Sequence, residues 1–397
     1  MARLVVWWRA VTVADTFGLS DKTAVCGVGL IMGETPGSTE LSLAGEAFKL
    51  ALADSGLKAS DIDGYIAPSF GADYDRVLES WGVNVRFAFQ GWTHGRFVSP
   101  TLQHAAMVVA SGQAKAVAVV FTRKKKKHGG TGQWEMWRQG LGPHGESPAY
   151  GAVAPVFGAA VAMQRYFEMY GGDREGLAPI AIAARKHAGL NSTALKREPM
   201  DREAYVNSRW IVEPLRLFDC CLVNEAAACV IVTSAERARD LAKPPVYISG
   251  VQGVHAGPQY HNLALPGLGV AQQDVYTFKP SQDDLHAYRM AGITAADIDA
   301  VMTYDAFTPL VVFGLERFGF CGPGEALDFI KDGRIELGGQ LPVNTSGGLL
   351  SEGHASGWNL IIEAVRQARG ECGQRQVKDL EIVQYGGFLG EAIIFRR

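Results

Sequence analysis

The sequence predicts a duplicated α/β protein. Three observations predict it: a nine-residue segment that recurs, the same helix-then-strand order after each copy, and 397 residues of ordinary globular composition. The recurring segments are SGLKASDID at 55–63 and AGITAADID at 291–299, which share Gly56/Gly292, Ala59/Ala295, Asp61/Asp297, Ile62/Ile298 and Asp63/Asp299. In each copy a helix-like stretch ends at a glycine, the chain re-enters through a short turn, and an apolar run follows, GYIA or AVMTY. Further on, SPTLQHAAMVVASG (99–112) and GWNLIIEAVRQARG (357–370) are both helix-patterned, end at glycine, and precede the apolar runs AVAVVFT and EIVQYGG. Strands alternating with helices argue for right-handed crossovers and predominantly parallel sheets with helices on their faces.

The length exceeds what one hydrophobic core usually serves, which fits two fused halves. A hydrophobic share of 47% against 20% charged residues supplies large buried sheets and excludes a disordered chain. The formal net charge of -3 gives no bulk attraction to nucleic acid or to anionic membranes. Six cysteines (Cys26, Cys220, Cys221, Cys229, Cys321 and Cys372) contain no CxxC pair and read as thiols of a reducing, cytoplasmic compartment. The opening MARLVVWWRAVTVADTFGLSD has its apolar run cut by Arg9 and lacks a cleavage pattern, so it reads as an extension rather than a signal peptide. No stretch approaches the roughly 18 apolar residues that span a bilayer, so membrane insertion is not expected.

These features parse the chain into an N-terminal extension (1–21), a first half (22–122 with 209–245), an insertion (123–208) and a second half (246–397). The insertion opens on KKKKHGGTGQWEMWRQG, and a segment of that size inside a half usually covers a site. The run ACVIVTS (228–234) closes the first half, and KPPVYISG opens the second. GVGLIMG (27–33) imitates a dinucleotide fingerprint, but its third glycine comes one residue late and no acidic partner follows at βαβ spacing. Cys220-Cys221, flanked by Phe218 and Leu222, reads as core, with its thiols held protonated by apolar surroundings.

Loops of the second half resemble those of sterol-carrier-type thiolases, in family order. NTSGGLLSEGHASG (344–357) is similar to the family's Asn-Pro-Ser-Gly-Gly…Gly-His-Pro loop, YDAF (304–307) to its Asn-Glu-Ala-Phe or His-Asp-Cys-Phe element, and QYGGFLG (384–390) to its Cys-x-Gly-Gly-Gly element. The segments RKHAGLN and SRWIVEPLRLFDCCLVNEAAACVIVTS resemble the stretch that ends in the family's Asp-Cys…Gly-Ala-Ala strand. The resemblance implies a thiolase fold, a duplicated five-layered αβαβα arrangement with an inserted loop domain, pairing as a homodimer.

Both family cysteines are missing: the nucleophile position falls at THGR (93–96), and the second is replaced by Gln384 or Tyr385. Thiol-free chains with YD-F resemble the thiolase-like subunits of steroid side-chain aldolases. Those cleave a β-hydroxyacyl-CoA together with a small zinc-ribbon/OB-fold partner, which implies a heterotetramer. They carry a tyrosine in the loop where this chain has Glu352. The resemblance implies a coenzyme A thioester as substrate and no permanently bound cofactor or metal.

Retro-aldol cleavage needs a base for the β-hydroxyl proton and donors for the enolate oxygen, with no acyl-enzyme. Tyr304 is the candidate base; an unperturbed phenol ionises near pH ~10, so neighbours must favour its phenolate. His354 and the backbone N–H groups around Gly347 and Gly348 are the candidate enolate donors. Asp305 and Glu352 are candidate acids or bases, with solvated charge as the plain alternative. Ser249 stands where thiolases touch the pantetheine arm, and a turn-forming serine reads it equally well; Gly387 belongs to the same CoA-binding set. Arg123–Lys127 can be read as a phosphate clamp or, more commonly for such a run, as a solvated face. A Claisen-type acyltransferase and a non-catalytic acyl-CoA binder remain the competing readings.

Overall fold

The computed structural model describes residues 18–68, 72–91, 97–124, 154–255 and 285–397. Its strands are β1 (Thr23–Met32), β2 (Gly64–Ala67), β3 (Phe87–Gln90), β4 (Ala116–Arg123), β5 (Trp210–Val212), β6 (Leu215–Arg216), β7 (Ala226–Ser234), β8 (Val246–Gln252), β9 (Ala300–Thr303), β10 (Ile382–Gly386) and β11 (Ala392–Arg396). Among the described residues one sheet runs in the order β3-β2-β4-β7-β1-β8-β11-β10-β9, and β5 pairs with β6 apart from it. The order is itself a duplication. From a shared centre, β1-β7-β4-β2 runs one way and β8-β11-β10-β9 the other. Among the described residues the two half-sheets are linked where β1 and β8 pair antiparallel, at Ala24↔Tyr247 and Val25↔Val246.

The repeated segment does the same physical work twice. Gly56 and Gly292 end the helices Glu40–Ser55 and His286–Ala291 in the left-handed region, φ 76° and 66°. Asp63 Oδ1 accepts from the N–H groups of Lys115 and Ala116, and Asp299 Oδ2 from those of Glu381 and Ile382. Each carboxylate therefore satisfies the donors at the entry of the next strand, β4 or β10. The outer helices also seat alike. A Cβ at Gly29 of β1 would lie 2.3 Å from Ala47 O, and one at Gly250 of β8 would lie 2.1 Å from Ala287 O. Gly27 and Gly29 of GVGLIMG thus serve close helix–strand packing, in agreement with the rejection of a phosphate loop.

The expectation of predominantly parallel sheets is corrected. β2 pairs parallel with β3 and β4, and β9 with β10. The pairs β1–β7, β1–β8, β4–β7, β10–β11 and β8–β11 are antiparallel. A parallel neighbour needs a crossover long enough to return the chain, and a helix supplies it between β2 and β4 and between β9 and β10. The five residues between β10 and β11 can only fold back into a hairpin.

Between the half-sheets lie the helices Val98–Ala110 and Trp358–Arg369. The second is buried along nearly its whole length. Two of its buried charges are paired: Glu363 pairs with Arg375 at 3.0 Å and accepts from the Thr345 hydroxyl at 2.8 Å, and Arg369 pairs with Asp54 at 2.7 Å. Burying such charges unpaired would cost several kcal/mol, about 3–5 for a broken pair. With the outer helices this makes the five-layered helix–sheet–helix–sheet–helix arrangement of a thiolase. The helices Pro155–Tyr170 and Ala178–Gly189 pack against the segments Thr308–Arg317 and Gly348–Ser351, beside the strand ends. Among the described residues no helix is long and apolar enough to cross a membrane.

Candidate active site

β9 ends at Thr303, and Tyr304 and Asp305 follow it directly. The side chain of Asn344 mimics a neighbouring strand: its Nδ2 donates to Thr303 O at 2.9 Å, and Thr303 N–H donates to its Oδ1 at 2.7 Å. That clamp fixes the loop 344–357 against the strand end. Further along, His354 N–H donates to Asn224 Oδ1 at 2.7 Å, anchoring the loop to the entry of β7. The outcome is a contact between residues 50 apart in sequence, with Tyr304 Oη and His354 Nε2 at 3.3 Å. Both side chains are buried. On the other face of the imidazole, Arg123 at the end of β4 donates through Nη1 to His354 Nδ1.

Asp305 and Glu352 hold the loop from below. Asp305 Oδ1 accepts from Leu349 N–H at 2.8 Å. Glu352 accepts from Ser346 Oγ at 2.6 Å and Asn359 Nδ2 at 2.8 Å on one oxygen and from Asn191 Nδ2 at 3.2 Å on the other. None of these partners is Tyr304 or His354. Burial raises both carboxyls to about 7, against the hydrogen bonds that favour ionisation. For such an acid the folded state binds the extra proton, so its stabilising contribution is complete below the unfolded value near 4 and is lost as pH rises to about 7. Asp305→Asn keeps an oxygen for Leu349 and removes the titration. Its stability relative to the parent is expected to improve by about 2–4 kcal/mol between pH 4 and pH 8. Urea midpoints measured across that range check this; parallel curves would show that Asp305 ionises as an exposed carboxyl does.

The loop glycines shape the site. Gly348 has φ +60°, and a Cβ there would fall 2.1 Å from Asp305 Oδ2. The Gly347 N–H, expected near the enolate, instead donates to Asn344 O at 2.9 Å, and its α-carbon faces the helix Ala178–Gly189, where a Cβ would lie 2.6 Å from Ala188 Cβ. Gly387 N–H likewise donates to Glu391 O at 2.9 Å, inside the hairpin turn. Ser249 is not brought to the cluster: it is buried in β8 and its hydroxyl donates to Asp21 Oδ1.

Tyr385, one of the two residues read at the second family cysteine position, is fully buried close by. A Cβ on Gly357, whose φ is +92°, would lie 2.8 Å from Tyr385 Oη, 3.2 Å from Val98 Cγ2 and 3.4 Å from Tyr304 Cδ2. Gly357→Ala is therefore expected to destabilise the protein by about 1–3 kcal/mol. It should also lower kcat by more than about tenfold by displacing the Tyr304 ring; melting temperature and steady-state kinetics together check this.

Cys221 lies beside the site, its N–H donating to Ala306 O at 2.9 Å. Cys220 and Cys221 are half-buried, and burial pushes the Cys221 thiol up to about 12 and Cys220 higher still, so both stay protonated at neutral pH. The basic run is not a solvated face at its start. Lys124 Nζ pairs with Glu225 at 2.7 Å and donates to Thr35 Oγ1 at 3.0 Å, while Arg123 reaches His354. Lys125–Lys127 and the segment 93–96 lie outside the described residues. Among the described residues no cluster of three His, Cys, Asp or Glu is placed to hold a metal ion.

A duplicated five-layered fold whose strand-end loops present a phenol and an imidazole, with no thiol in the sequence at the family's two cysteine positions, defines a thiolase-superfamily protein that departs from the family at both cysteines. Residues 270–393 match the family described as thiolase C-terminal domain-like. The chain is 38% identical over 374 residues to a steroid side-chain-cleaving aldolase of Thermomonospora curvata, covering 89% of this chain and 91% of that one. It is 35% identical over 369 residues to a 17-hydroxy-3-oxo-4-pregnene-20-carboxyl-CoA lyase of Mycobacterium tuberculosis, covering 89% and 92%. Among solved structures, the Ltp2-ChsH2(DUF35) aldolase superposes with TM-score 0.82 at 33% identity, covering 95% of this chain and 98% of that one. The chain belongs to the thiolase-like family, on the branch of the steroid side-chain-cleaving aldolases, and with them is a carbon–carbon lyase. The resemblance read from the loop motifs is borne out.

Proposed function

We propose that this lyase cleaves a β-hydroxyacyl-CoA of the steroid class by retro-aldol chemistry, with Tyr304 as base and His354 as the donor that follows the migrating charge. The observation that carries the reading is the Tyr304 Oη–His354 Nε2 contact of 3.3 Å. A hydrogen bond donated to Oη stabilises negative charge on the phenol oxygen. Tyr304 takes the β-hydroxyl proton. The bond between Cα and Cβ then breaks, its electron pair entering the thioester as an enolate while Cβ becomes a carbonyl. As charge leaves Oη and gathers on the thioester oxygen, the same Nε2–H turns to it. A proton returned to Cα completes the shortened acyl-CoA. Asp305 and Glu352 act by holding the loop, Gly347 and Gly348 by shaping it, and Gly387 by closing the β10–β11 hairpin turn. The relatives named as an aldolase and a carboxyl-CoA lyase support this substrate class.

The same reading gives the chain a small zinc-ribbon/OB-fold partner, supported by the name of the similar solved structure, Ltp2-ChsH2(DUF35) aldolase. It also gives a homodimer through the sheet edge, where β3 exposes Phe89 at 43%, hence a heterotetramer. Residues 123–208 serve as the covering insertion, and six free thiols fit a cytoplasmic setting. The test is to co-express the chain with a DUF35-type partner and supply a β-hydroxyacyl-CoA. Release of a ketone or aldehyde with a shortened acyl-CoA, and no acylated side chain by mass spectrometry, is expected. A covalent acyl adduct would instead support the Claisen-type transferase, and binding without turnover the non-catalytic reading.

A further inference from the structure

We propose that Arg123 is a positioning residue that fixes the tautomer of His354, so that Nε2 carries the ring proton and presents it to Tyr304. The proposal deepens the reading above and rests on it for its catalytic consequence. A guanidinium has five donors, no acceptor, and a charge that persists wherever the protein is folded. Its Nη1 donates to His354 Nδ1, so that nitrogen must offer a lone pair. A neutral imidazole with a lone pair on Nδ1 carries its hydrogen on Nε2. Nε2 lies 3.3 Å from Tyr304 Oη, and the donor direction is therefore Arg123 to His354 to Tyr304. The opposite tautomer would set two donors against each other at Nδ1.

The backbone at Arg123 is well placed to impose this. It is the last residue of β4, held in register opposite Ala226 of β7, and is only partly exposed. The adjacent Lys124 is neutralised by Glu225 at 2.7 Å, whereas among the described residues no carboxylate pairs with Arg123. Its charge is left to act on the imidazole.

The test begins on ligand-free protein. Long-range 1H–15N spectra of 15N-histidine-labelled chain, with His354 assigned by its disappearance in His354→Gln, should show Nε2 protonated and Nδ1 bare. In Arg123→Leu the preference should be lost. Turnover of a β-hydroxyacyl-CoA by the complex should fall about 10²-fold in kcat with KM little changed, and Arg123→Lys, which keeps a donor and the charge, should recover part of it. Free guanidinium should partly restore Arg123→Ala. A wild-type Nδ1–H, an unchanged tautomer in Arg123→Leu, or a loss confined to KM would overturn the proposal; the last would place Arg123 on the CoA phosphates instead. If the tautomer depends on Arg123 while Tyr304→Phe leaves turnover intact, the tautomer assignment stands and the catalytic role of Tyr304 fails.

Discussion

Tyr304→Phe is expected to lower kcat by about 10²–10⁴-fold with little change in KM. The substitution removes only the oxygen. The ring packs beside Gly357 and the imidazole of His354 and is 2% exposed, so its apolar contacts survive and the fold should hold. What is lost is an acceptor for the β-hydroxyl proton at the step where the Cα–Cβ bond breaks, an interaction that grows only in the transition state and therefore falls on kcat. Single-turnover cleavage of a β-hydroxyacyl-CoA by the partnered enzyme measures it directly. A variant retaining a tenth or more of the parent rate, with an unchanged melting temperature, would remove Tyr304 from the chemistry. The contact with His354 would then be plain packing, as buried tyrosines commonly show.

Much of this was legible in the sequence, because the signals were local. SGLKASDID and AGITAADID announce the duplication through a glycine that must be left-handed and an aspartate that must cap the next strand, and both copies do so. Pairing direction was not legible. It depends on whether a connection is long enough to return the chain, and the helix–strand alternation masked the short β10–β11 turn. In the candidate site, Tyr304 and His354 could be singled out because each sits in a motif, and the structure brings the two into contact through a loop fixed by its own glycines and by Asn344. Arg123 was missed: it contacts His354 across 231 residues and heads a basic run that reads as solvated. Asp305 and Glu352 were legible as buried acids only in part. Neighbourhood in sequence placed them beside Tyr304 and His354, but consecutive loop residues point apart. Gly353 at φ +148° separates Glu352 from the imidazole, and the carboxylate turns instead to Asn191, Ser346 and Asn359.

His354→Ala is expected to cost about 10²–10³-fold in kcat, and the double variant with Tyr304→Phe should lose little more than the worse single variant. Two groups that acted independently would multiply their losses. In the proposed mechanism one hydrogen serves one migrating charge, first at Oη and then at the thioester oxygen, so once the phenol is gone the imidazole has less negative charge to meet, and the coupling should appear as strong non-additivity. Asn224 anchors His354 through its backbone N–H, so truncating the side chain leaves the loop attached and the comparison clean. Rates for the four members of the cycle, each corrected for folded fraction, decide the matter. Additive losses would mean that the two residues work on separate atoms of the substrate, and the 3.3 Å contact would then describe neighbours rather than a relay.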